Sequence, residues 1–262
     1  GTVTIAAGST SATINVSTID DEIVETLEDV IITLATITAD PQVTINGASD
    51  EATIAIADND SGTVSIAGTT NGNEAGPTNG VFTVNKTAES STDTVLTYSV
   101  TGSADSVDDF TALSGMVTIA AGSTNVTINV STIDDAIVEA LEDITITLAT
   151  ITADPQIVID SANDEASIMI VDTDSAMVSI TGTTNGAEAG PTTGVFTVTQ
   201  TAESSTDTVL TYSVSGSADS VDDFAALSGT VTIAAGSTSA TINVSTIDDE
   251  IVHSRHGGGH AG

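Results

Sequence analysis

Cysteine and tryptophan are absent from the 262 residues, and basic side chains nearly so. Two Lys plus Arg stand against 37 Asp plus Glu, a formal charge of −35. Without cysteine there are no disulfides, thiolate metal sites or thiol nucleophiles. Without basic patches the chain has nothing to hold a phosphate backbone, so nucleic acid is excluded as a partner, and so is an anionic membrane surface. No apolar run approaches the roughly 18 residues of a membrane span, so direct membrane insertion is not expected either. Aromatics amount to 2% of the chain while hydrophobic residues reach 39%, so the core must be built from Val, Ile, Leu and Ala. Intrinsic disorder is a poor fit to that composition.

What is present is a repeat. The string GTVTIAAGSTSATINVSTIDDEIV occupies residues 1–24 and returns letter for letter at 229–252, and a close copy sits at 116–138. Gly1, Gly115 and Gly229 mark a period of 114 residues. That is too long for a solenoid coil and suits one whole domain, so the chain reads as beads on a string, a window on a longer array. The middle copy differs at Met116, Asn125, Val126 and Ala136, which suggests two alternating modules.

Within one period, Val64–Ile66, Val81–Val84, Val95–Val100, Val117–Ile119, Val126–Val130, Ile144–Leu148 and Ala166–Ile170 alternate apolar with small polar residues. Period-2 alternation is the signal of half-buried strands, and Gly, Ser, Asn and Asp clusters separate them. Helical periodicity is confined to 137–143, too short to sustain a helix. The fold class is therefore all-β: tandem immunoglobulin-like sandwiches of seven antiparallel strands each. On this reading residues 1–60 hold the last four strands of one bead, 61–174 a complete bead, and 175–252 the first five strands of another. Residues 253–262 form a His/Gly tail foreign to the repeat; its three imidazoles could bind zinc, nickel or copper, but a chain end or an assembly artefact in a repetitive gene is the favoured reading.

The acidic residues cluster at strand ends. Asp134 and Asp135 close one strand, Glu139 and Glu142 follow, Asp108 and Asp109 precede Phe110, Glu74 sits early, and Asp172 and Asp174 end the last strand. Like charges packed at ~4 Å repel by about 4 kcal/mol at an intermediate dielectric, and no basic side chain recurs with the repeat to offset this. Calcium would, because it takes six to eight oxygen ligands from mixed carboxylate, carbonyl and water donors. A solvated acidic face is the simpler alternative for one Asp pair, but not for several clusters recurring in register.

These residues resemble the Calx-beta domain family: Glu74 before Val81-Phe82-Thr83-Val84, then Asp108-Asp109-Phe110, Ala121-Gly122-Ser123, Ile133-Asp134-Asp135, Val138-Glu139-Ala140-Leu141-Glu142, Leu148, and Asp172-Thr173-Asp174. The resemblance implies two to four Ca2+ per complete bead, with ligands drawn from Glu74, Asp109, Asp134, Asp135, Glu139, Glu142, Asp172 and Asp174. It implies Asp20, Asp21, Glu25, Glu28, Asp58 and Asp60 in the preceding half-bead, and Glu188, Asp223, Asp248 and Asp249 in the following one. Family members often carry more acidic residues where Ala136 and Ile137 stand here.

Asp172 and Asp174 adjoin the next bead without a Pro-rich or Gly-rich spacer, so the expected role is a calcium-rigidified segment of an extracellular filament or cell-surface adhesin. Without the ion the junction is expected to be a charged hinge. The partners are then neighbouring identical repeats or chains in a head-to-tail polymer. Two alternatives are a calcium-sensing binding module and a filament subunit whose half-beads are completed by strand exchange. Catalysis is not expected: within the repeats there is no His, no nucleophile elbow and no phosphate-cradling loop, and few aromatics to line a cleft.

Overall fold

Val, Ile, Leu and Phe alternating with Thr and Ser can bury one face only by pairing strands into sheets and packing two sheets together. A computed structural model describes residues 1–76, 78–190 and 192–248, and all regular structure among them is β. Strands β1 (Glu28–Thr33) and β2 (Glu51–Ile56) lie in the first half-bead. The central bead contains β3 (Gly62–Thr70), β4 (Gly72–Asn73), β5 (Gly80–Lys86), β6 (Thr94–Gly102), β7 (Met116–Ile119), β8 (Asn125–Val130), β9 (Glu142–Ile151), β10 (Ile157–Ile159) and β11 (Glu165–Val171). The last half-bead contributes β12 (Val178–Thr184), β13 (Gly194–Gln200), β14 (Thr208–Thr211), β15 (Thr230–Ile233) and β16 (Ser239–Val244).

The central bead is a sandwich of a four-stranded sheet, β10-β3-β5-β8, and a five-stranded sheet, β4-β11-β9-β6-β7. The seven strands expected from alternation are all there. Two short ones were not legible, and both depart from the antiparallel expectation: β10 pairs with β3, and β4 with β11, in parallel. Two or three residues show no period, so such edge pieces are set by the loops that carry them. The Phe82, Val84, Leu96, Ile119, Val130 and Ile146 side chains are fully enclosed between the sheets. Each burial of this kind contributes about 1.5–3 kcal/mol. Gly102, at the end of β6, has φ +137°, and a β-carbon there would collide with the Asp143 carbonyl oxygen. Only glycine lets β6 lie this close to the start of β9, where the acidic end of the bead begins.

The half-beads show how far pairing decides structure. The identical string that forms β15 and β16 near the end of the chain forms no strand at residues 1–24. β16 pairs with β13 and β15 with β14; among the described residues, 1–24 pair with no such strands. Of the four strands expected in residues 1–60, only β1 and β2 form, paired with each other. Equivalent side chains also change environment: Phe82 is 0% exposed and Phe196 43%, while Ile168 is 2% exposed and Ile54 51%.

Truncating the enclosed aromatic tests the packing. Phe82→Ala should destabilise the central bead by about 3–5 kcal/mol in urea titrations followed by hydrogen exchange. Phe196→Ala should cost clearly less, and equal effects would contradict the assigned environments.

Candidate metal centre

Five segments bring carboxylates to the end of the central bead from which the chain exits. Glu74 follows β4, and its N–H donates to the Val171 carbonyl at 3.2 Å, tying it to the end of β11. Asp109 lies in the β6–β7 connection, where its N–H donates to Asp105 O at 3.1 Å and its own carbonyl accepts Ile133 N–H at 2.9 Å. The Asp105 N–H in turn donates to the Asp109 carboxylate. The Asp135 Oδ1 accepts Ile137 N–H at 2.7 Å, turning the chain after β8. Asp172 Oδ2 accepts Glu139 N–H at 2.6 Å and its Oδ1 accepts Asp174 N–H at 2.7 Å, so one carboxylate fastens the Glu139 segment to the exit segment.

Two convergent groups result, and Glu74 belongs to both. Carboxylate oxygens of Glu74, Asp109 and Glu139 lie within 4.8 Å of one another, as do those of Glu74, Asp135 and Asp174. Glu74 is 3% exposed and Asp109 4%. The Glu74 Oε2 and Asn73 Oδ1 atoms are buried and meet no donor. Of the remaining expected ligands, Glu142 and Asp172 flank these groups. Asp134 is exposed and belongs to neither, and Asp108 is likewise exposed. Asn73 was not anticipated; Ala187 holds its place one period later, so the repeat offered no signal for it.

The electrostatics follow from crowding. Burial, then the neighbouring Asp172 and Asp109, raise the Glu74 carboxyl from 4.5 to about 7. Burial, then Asp109, push Glu139 and Glu142 upward as well. The one lysine among the described residues, Lys86, is buried and donates to Thr94 Oγ1 at 3.0 Å; its nearest charges are Asp154, Asp93 and Glu89, not this cluster.

The half-beads repeat the local frame. Asp58 Oδ2 accepts Glu25 N–H at 2.8 Å and its Oδ1 accepts Asp60 N–H at 3.0 Å, as Asp172 does one period later. The expected residues Asp20, Asp21 and Glu28 are exposed there. In the last half-bead Asp223 accepts Asp219 N–H at 2.6 Å, while Glu188 and Asp248 are exposed and Asp249 lies outside the described residues, as does the 253–262 tail. The half-beads thus carry complementary parts of the central arrangement.

A site of this kind, oxygen-only, multidentate and short of positive charge, on a tandem β-sandwich defines a class of cation-binding repeat modules. The chain belongs to the Calx-beta domain family, whose sequence profile matches residues 1–60, 58–174 and 177–256. Calx-beta domains are calcium-binding modules. Among solved structures, the chain is similar to CBD12 from CALX1.2, at 16% identity and TM-score 0.37, over 72% of this chain and 77% of that one. It is similar to the apo-form Calx CBD1 domain at 18% identity and TM-score 0.38, over 44% of this chain and 100% of that one. A two-domain protein of unknown function from Bacteroides fragilis NCTC 9343 aligns at 8% identity and TM-score 0.33, over 72% and 85% of the two chains. No curated protein matches the chain.

The raised carboxyls fix a pH dependence. Between 4.5 and about 7 the folded, metal-free bead retains the Glu74 proton that the unfolded chain releases. Raising pH through this window therefore destabilises the bead. In chelator, the melting temperature should fall across it, and Glu74→Gln should flatten the fall. A constant or rising melting temperature would contradict the assignment.

Proposed function

We propose that the chain is a calcium-binding structural segment of an extracellular filament or cell-surface adhesin. The observation that carries this reading is the buried Glu74 carboxylate, unpartnered at Oε2 and shared by two convergent acidic groups with no basic side chain nearby among the described residues. The donor set fits calcium: several convergent carboxylates, some of them at the exposed surface where water can enter, suit a hard cation of variable coordination. Glu74, Asp109, Glu139, Asp135 and Asp174 would hold the ions, with Glu142 and Asp172 beside them. Bound calcium supplies the positive charge that these oxygens lack.

The residues themselves do the mechanical work. Asp172 holds the Glu139 segment and the exit segment in one frame, and Ser175 to Met177 lead directly into β12. With repulsion among the carboxylates neutralised, that frame keeps a fixed direction into the next bead. A tandem array of near-identical modules serves length better than switching, which favours the structural reading over the sensor.

Calorimetric titration with calcium, paired with small-angle scattering in calcium and in chelator, tests this. Affinity of roughly 0.1–1 mM with greater extension in calcium is expected for an extracellular structural site. Micromolar affinity would favour the sensor, and identical scattering in both conditions would contradict the rigidifying role.

A further inference from the structure

The junction between beads carries a contact that does not involve the carboxylates. Val24, from the first half-bead, forms an isolated parallel bridge with Ser90 of the central bead. Its N–H donates to Glu89 O at 2.9 Å and its carbonyl accepts Ser91 N–H at 3.0 Å. Val24 is 1% exposed and clusters with the central bead's core, where every other buried member comes from that bead itself. The receiving turn is held from behind: Ser90 O accepts the N–H of Gly122, whose φ of +72° suits glycine, at 2.9 Å.

One period later the contact recurs. Val138 bridges Ser204, donating to Glu203 O at 2.9 Å and accepting from Ser205 N–H at 3.1 Å, and Gly236 N–H backs Ser204 O at 2.9 Å. At the first junction Gln156 adds a clasp: with its amide nitrogen turned toward them, it donates to Asp58 Oδ2 at 3.0 Å and to Glu25 O at 2.7 Å. Among the described residues Val138 has no such cover, and it is half-buried.

Both valines sit between acidic residues of the exit end: Val24 between Asp21 and Glu25, Val138 between Asp135 and Glu139. The residue after each valine is pinned to the Asp of its own exit segment, Glu25 on Asp58 and Glu139 on Asp172. The flanks of each segment thus face its own bead's acidic cluster while its middle bridges to the next bead, and at the first junction Val24 enters that bead's core.

We propose that the Glu89–Ser91 turn and its Glu203–Ser205 counterpart are docking sockets for the valine of the preceding bead, so that each bead's core is completed by its neighbour. It follows that cation binding in one bead stabilises the bead after it, because a cation on the flanking carboxylates holds in place the segment that presents the valine. The socket stands on the hydrogen bonds and burial alone; the coupling to cation rests on the calcium reading above.

Hydrogen exchange of the full chain separates the two. The Asn85/Thr199, Thr101/Ser215 and Met116/Thr230 differences make the corresponding peptides of the two beads distinguishable by mass. In chelator, Val24→Ser should speed exchange along β6 and β7 of the central bead by roughly tenfold, although the substitution lies in the bead before. Val3→Ser, at an exposed position of the same half-bead, should not. If Val24→Ser removes protection altogether, Val24→Ala should give a smaller, graded increase. Wild-type exchange in both Val24 variants would overturn the socket. With millimolar calcium, the wild-type last half-bead should gain protection around Glu203–Ser205. Val138→Ser should lose that gain while still taking up calcium with wild-type stoichiometry. Equal gain in both proteins would overturn the coupling; absence of calcium uptake in the wild type would overturn the calcium reading, and the coupling with it, but leave the Val24 result standing.

Discussion

A buried carboxylate surrounded by other carboxylates sets the terms for the rest of this molecule. Glu74 has under a tenth of its surface in water, and Asp172, Asp109, Asp135 and Asp174 all raise its proton affinity. Each close like-charge pair costs about 4 kcal/mol at an intermediate dielectric of ~20. A small all-β domain with a net stability of about 5–15 kcal/mol cannot carry several such pairs uncompensated. Either protons or a divalent cation must resolve the conflict, and the hydrogen-bond frame of Asp105, Asp109 and Asp172 keeps the oxygens converged in the meantime.

The sandwich serves that frame. The ends of β4, β8 and β11 and the start of β9 meet at one pole, and Gly102 lets β6 and β9 approach closely there. The opposite pole carries different chemistry: buried Lys86 with Thr94 and Asp154, the Ser90 turn, and Gln156. The Val24–Ser90 and Val138–Ser204 bridges run from the acidic connection of one bead to this pole of the next. The last half-bead has Gln200 in place of Lys86, and Glu22 and Glu250 stand where the central bead has Ala136, so the repeats diverge in charge at both poles.

Much of this was legible from residue order. The seven longer strands followed from alternation, and the five segments that converge at the acidic pole followed from the clustering of Asp and Glu at strand ends. What could not be read depended on partners distant in sequence. The 24-residue string at 1–24 and 229–252 is strand in one place and not in the other, because local propensity is the same but the pairing strands are not. The parallel pieces β4 and β10 are too short to show a period. Val24 and Val138 look like ordinary members of an acidic connection, and nothing local marks them as bridging to the next bead, or Val24 as belonging to its core. Asn73 is hidden for a related reason, since only the fold shows that its side-chain oxygen is buried without a donor. The expectation that ions alone tie the junction was incomplete for the same cause: the valine bridges and the Gln156 clasp are backbone and amide contacts across a repeat boundary.

The central claim is that cations, not protons or water, occupy the converged oxygens at neutral pH. Anomalous diffraction from crystals of the chain grown in calcium, with a lanthanide substituted in a matched crystal, addresses it directly. The account predicts peaks in the central bead among Glu74, Asp109 and Glu139, and among Glu74, Asp135 and Asp174. Density explained by water alone at those positions, with the carboxylates still converged, would contradict it.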